Sequence, residues 1–176
     1  DLRYTQEQAE RNSKLLQSLL DNLPVGICVK DPDDDFRFVI WNNFLARKLG
    51  VPAEKIIGKN EPEVNLLPEL QENFRTDDLR AMHGEAVNIT EECTGPEGNL
   101  LIFDTTKQLL TLNSGKRLLI VLSIEVTRRK LLERQQAEML EQMSNYVKYE
   151  RIINQCLQQI TLQTHIDESV AYLLRQ

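Results

Sequence analysis

Histidine is nearly missing from this sequence: there are two in 176 residues, His83 and His165. A haem ligand or a histidine general base would have to be one of them. His83 directly precedes Gly84 at what reads as a helix end, the usual place of a surface histidine facing a helix C-terminus. Cysteine is scarce too. Cys28, Cys93 and Cys156 form no C-x-x-C pair, and their number is odd. Such cysteines read as small buried side chains in a reducing compartment, which places the chain in the cytoplasm. The seven glycines include no phosphate-cradling run, and no Ser/His/Asp or Cys/His arrangement offers a nucleophile. A net charge of −6 and the lack of a basic stripe argue against nucleic acid as a partner. No apolar run reaches the ~18–20 residues of a membrane span, so no membrane contact is expected of this segment.

What is present is a change of period along the chain. Residues 5–20 read as a helix with a narrow apolar stripe, in which Leu2, Ala9, Leu16 and Leu23 fall seven apart. Pro24 ends it. Five strand candidates follow. "VGICVK" (25–30) and "FRFVIW" (36–41) flank the turn "DPDDD". Strands at about 86–94, 99–112 and 116–126 are separated by the hairpin stretches "GPEGN" and "NSGK". Alternation puts Phe36, Phe38 and Ile40 on one face, with Val39 and Trp41 on the other. In the last strand it makes Leu118, Ile120, Leu122, Ile124 and Val126 the buried face. A short helix over 42–50 and another over about 69–83 lie between the second and third strands. The fold class is α+β: one five-stranded antiparallel sheet with short helices on one face.

After Val126 the period becomes helical at once. Leu132, Met139, Tyr146, Ile153 and Ile160 are spaced by sevens; Met143 and Leu157 share a second, mixed seam position with Gln136 and Glu150. A stripe so narrow predicts a parallel or antiparallel coiled coil, and hence a homodimer through the N- and C-terminal helices. With no loop between, strand and helix form a mechanical joint.

These stretches, in this order, resemble a PAS domain. "FVIWNNFLARKLGVPAEKIIGK" (38–59) is similar to the family's second strand and following helix, with Asn42, Gly50 and Gly58 in motif positions. "GEAVNITEE" (84–92) resembles the Gly-led third strand. "SIEVTRRK" (123–130) resembles the closing signature, with Glu125, Thr127 and Lys130 in the Asp, Thr and Lys places. The resemblance implies a linker helix over 1–23, a PAS sensor domain over 24–127 and a signalling coiled-coil helix over 128–160. A following domain would begin over 161–176, where the tail resembles the entry helix of a GAF domain. It further implies a sensor module of a bacterial two-component protein, most often a histidine kinase. The kinase would lie outside this chain, which holds no His-Glu-x-x-x-Pro box and is itself expected to be non-catalytic. A ligand-free dimerisation spacer, or the front end of a cyclic-dinucleotide enzyme or transcription activator, are the rival readings.

By the same resemblance, Glu125, Thr127 and Lys130 couple sheet to helix, Glu125 through a basic group on the domain. No cofactor is expected. Flavin chemistry of the LOV type needs a cysteine between Cys28 and Cys93, and none occurs; haem has only His83. "DPDDDF" opens like a calcium loop but has Phe36 and Asn42 where an EF-hand needs Gly and Glu, so it reads as a solvated acidic turn without metal. A small-molecule cavity would lie between the inner sheet face and the helices of 42–83, lined by Cys28, Ile40, Phe44, Met82, Phe103 and Leu122.

Overall fold

The computed structural model describes the backbone of residues 2–173 and the side chains of residues 6–161. It divides into two units, residues 1–127 and 128–176.

The first unit opens with helix α1 (Leu2–Asn22), followed by strands β1 (Gly26–Asp31) and β2 (Arg37–Trp41). Helices α2 (Asn43–Leu49), α3 (Ala53–Ile56), α4 (Glu61–Val64) and α5 (Gln71–Met82) come next, then strands β3 (Val87–Thr94), β4 (Leu100–Thr111) and β5 (Arg117–Glu125). The strands form one antiparallel sheet in the order β2-β1-β5-β4-β3. Helix α6 begins at Thr127, two residues after β5, and runs unbroken to Leu173. At 1.5 Å per residue that is about 70 Å. It crosses residue 160, the expected end of the signalling helix. The GAF-like reading of 161–176 depends on side chains that, past Thr161, lie outside the described residues, as does the side chain of Leu2.

The side chain of Asn42, itself buried, ties three elements together. Its Oδ1 accepts from the Leu45 N–H, capping α2, and from the Ile27 N–H of β1 at 3.0 Å. Its Nδ2 donates to the carbonyls of Leu20 and Val25, both at 2.8 Å. Gly50 ends α2 in the left-handed region (φ +72°), and a Cβ there would meet Pro96 at 2.9 Å.

Two expectations about faces are overturned. A bulge in β2 pairs Val29 with Ile40 and Lys30 with Phe38, leaving Val39 as the extra residue. Phe38 and Trp41 therefore share the inner face and meet edge to face at 5.5 Å, while Val39 and Ile40 are exposed. In β5 the covered face is Leu119, Val121, Ser123 and Glu125, the odd positions. Leu122 and Ile124 point away from the helices and are 40% and 52% exposed. Hydrophobicity chose the wrong face because both faces of β5 are apolar; register decides. Val121 pairs with Cys28 on one side and Lys107 on the other, both of which face the helices. Val126 is buried because it lies past the strand, where its N–H donates to the Ile102 carbonyl at 2.8 Å.

The acidic turn is ion-paired rather than merely solvated. Asp31 pairs with Lys116, Asp33 with Arg117, Asp34 with Arg37 and Asp35 with Arg75.

Candidate ligand site

The inner face of the sheet is laid out in cross-strand rows. One row runs Trp41–Cys28–Val121–Lys107–Val87, and the next runs Phe38–Lys30–Leu119. Two of these inward residues are lysines. Lys30 and Lys107 are each 2% exposed. An isolated ammonium in such a place would be strongly disfavoured, and α4 and α5 supply the answering charges. Asp78 on α5, 0% exposed, accepts from Lys30 Nζ at 2.6 Å and from Lys107 Nζ at 2.7 Å. Glu61 at the start of α4 accepts from Lys30 Nζ at 2.5 Å. Lys107 also donates to the Phe74 carbonyl at 3.2 Å. Burial alone would lower the pKa of Lys30, but Asp78 and Glu61 more than reverse this and hold it raised. Two cations and two anions thus form a neutral buried quartet joining the sheet to the helices.

Beside the quartet lies a cavity of about 70 Å³. Its walls are mainly apolar: Phe38, Trp41 and Val121 from the sheet, Leu45 and Leu49 from α2, and Leu66, Leu67, Leu70 and Phe74 from the helical side. The polar groups that reach it are Lys30, Lys107, Glu61, Glu91, Thr105 and Ser123. Thr105 and Ser123 share a hydrogen bond of 3.1 Å. Burial raises the pKa of Glu91, opposed by its hydrogen bond with Thr105. Burial also pushes the Cys28 thiol up to about 12 and the Cys93 thiol up to about 11, which makes both poor nucleophiles.

Of the lining residues expected from sequence, Cys28 and Phe103 face this cavity. Ile40 and Leu122 do not, since the bulge and the register of β5 turn them to the outer face. Phe44 packs instead into a second cluster with Cys93, Leu101 and Phe103. Met82 is half-buried at the edge of the main core. Unforeseen were the four charged residues, yet the parity of the strands already implies two of them. If Cys28 points inward, so must Lys30; if Phe103 does, so must Thr105 and Lys107.

At the joint, Glu125 is ion-paired with Lys48 of α2. The Thr127 Oγ1 accepts from the Ile102 N–H at 2.9 Å, so the backbone of Ile102 holds both Val126 and Thr127. Lys130 lies in the second unit and approaches Glu133 at 3.7 Å. Gly58, in the left-handed region at φ +79°, donates to the Phe38 carbonyl at 2.8 Å and accepts from Arg37. The seam candidates Leu132, Met139, Met143, Tyr146, Ile153 and Leu157 are 50–68% exposed in the single chain.

The model of the PAS fold matches residues 20–131. The chain belongs to the PAS fold family. PAS domains are sensory rather than catalytic modules, and similar solved structures include several of them. The PAS domain from Bordetella pertussis BvgS is 22% identical with a TM-score of 0.53, over 74% of this chain and 98% of that one. A PAS domain from a two-component sensor histidine kinase is 15% identical with a TM-score of 0.51, over 66% and 98%. An RNA-binding Light-Oxygen-Voltage receptor is 18% identical with a TM-score of 0.57; the match covers 73% of this chain but only 37% of that receptor. At such identities the likeness is one of PAS fold. No curated protein matches the chain in sequence. Among the described residues, no helix is long and apolar enough to cross a membrane.

Proposed function

We propose that this chain is the sensory and dimerising PAS module of a bacterial sensor histidine kinase. In this reading it works in the cytoplasm and relays a change at the sheet into a C-terminal coiled coil. The observation that carries the reading is the cavity: polar groups from β1, β3, β4, β5 and α4 converge on it. A mere spacer has no need to bury four charges around an opening. The PAS domain of a two-component sensor kinase among the structural neighbours supports the kinase assignment.

Signal relay follows from the joint. Ile102 is bonded to the Val126 N–H and to the Thr127 hydroxyl, and Glu125 is paired with Lys48, so in this reading a shift in β4, β5 or α2 is passed on to the start of α6. Only a difference between two conformations can transmit a signal. As a half-exposed pair, Glu125–Lys48 contributes ~0–1 kcal/mol to stability, yet it fixes geometry. In the full-length parent, Glu125→Ala should leave folding intact and alter stimulated phosphorylation. Four residues inserted after Thr127 should alter it more, because they displace the heptad register. Normal stimulated phosphorylation in both variants would reduce the joint to a tether.

The small size of the cavity favours the rival reading of a ligand-free spacer. That reading predicts no saturable binding of any small molecule.

A further inference from the structure

The charges around the cavity restrict what can enter it. Lys30 and Lys107 stand against Asp78 and Glu61, a sum of zero; Glu91, on β3 of the same sheet, also lines the cavity, and burial disfavours its charged form. An anion entering would meet two carboxylates beside the two ammonium groups, each ammonium already engaged by a carboxylate. A cation would lose its hydration beside two buried lysines. Either would add an unmatched charge to a neutral and mostly apolar surrounding.

A neutral guest meets no such obstacle. Each ammonium has three N–H donors. Lys30 places two on Glu61 and Asp78; Lys107 places one on Asp78 and one on the Phe74 carbonyl. One donor on each is left without a hydrogen bond among the described residues, and each ammonium lies 5.2 Å from the centroid of a lining ring, Lys30 from Phe38 and Lys107 from Phe74. The rest of the wall is apolar. About 70 Å³ corresponds to roughly two waters' share of liquid volume, which calls for a compact molecule. Leu67 holds a positive φ angle of 45°, a region that bulky side chains seldom occupy. Leu66, Leu67 and Leu70 thus line the cavity from a strained segment.

Resting on the sensory reading above, we infer that the cavity takes a compact, uncharged molecule with an apolar body and a hydrogen-bond-accepting carbonyl or ring nitrogen directed at Lys30 and Lys107. The neutral quartet rejects carboxylates and amines of the same shape.

The test uses three probes of one shape that differ in charge: acetamide, acetate and acetamidinium. Each is titrated into the intact chain at about pH 7 and followed by amide correlation spectra. Acetamide should bind saturably, shift the amides of Cys28, Thr105 and Val121, and bind at least about tenfold more tightly than either ion. In Glu61→Gln the surroundings gain one positive charge, and the preference should move toward acetate by about tenfold. Tighter binding of acetate or acetamidinium to the unaltered chain would overturn the ligand class and leave the sensory reading standing. An order of affinities unmoved by Glu61→Gln would overturn the charge-balance explanation. No saturable binding of any probe would overturn the ligand class together with the cavity as sensor, in favour of the spacer.

Discussion

Replacing Asp78 with alanine removes the carboxylate that serves both buried lysines. Glu61 can still answer Lys30, but Lys107 keeps only the Phe74 carbonyl. Breaking a buried pair by removing one partner costs about 3–5 kcal/mol. An independent ceiling comes from the escape route. A buried ammonium without its anion can shed its proton, which costs about 1.4 kcal/mol for each pH unit below the ordinary lysine value of ~10.4. That is about 5 kcal/mol at pH 7 and about 2 kcal/mol at pH 9. The two figures agree near neutrality and make a distinctive pH signature. In the native protein Lys30 has a raised pKa, so its stabilisation is fully present below the ordinary lysine value and is lost only as pH rises through the folded value. Across pH 7–9 its contribution is therefore flat. In Asp78→Ala the folded state binds fewer protons than the unfolded state, so its stability should rise with pH over the same window. Urea unfolding of both proteins at several pH values reads the gap directly. A loss below about 1 kcal/mol at pH 7, or a gap that does not narrow by pH 9, would refute the account of the quartet.

Asn42→Ala should cost about 3 kcal/mol in urea unfolding, from the loss of the α2 cap and an orphaned Ile27 N–H; a loss below about 1 kcal/mol would mean that water replaces the side chain. Met139→Asp or Ile153→Asp should convert a dimer into monomers by sedimentation at micromolar concentration, since each puts an unpaired charge into an apolar seam. Cys28 and Cys93 should resist a thiol reagent at pH 8 until the domain unfolds, because burial keeps both thiols protonated; prompt modification of either would show that the cavity side of the sheet opens readily.

The sheet was legible because its strands alternate and its hairpins carry glycine. Helix α6 was legible because its period is so regular. Less visible were α3, α4 and the turn over Pro68–Leu70, which are too short to show a period. The inner faces of β2 and β5 were misassigned for a different reason. A bulge reverses parity without any mark in composition, and a strand apolar on both faces names neither. The charged quartet escaped notice because lysine in a strand suggests solvent. Its burial becomes evident only once the neighbours at i±2 are placed inside.

The neutrality of the quartet also bears on how the sequence can change over time. Replacing Lys107 alone leaves Asp78 with one cation fewer; replacing Asp78 alone leaves a lysine in excess. Each single step passes through a destabilised protein, whereas a matched exchange, such as methionine at 107 together with asparagine at 78, does not. Drift at this site should therefore proceed by paired replacement. Relatives that sense another uncharged molecule should differ here at two positions or at none, and a change of ligand charge should appear as an odd number of changes in charge among residues 30, 61, 78 and 107.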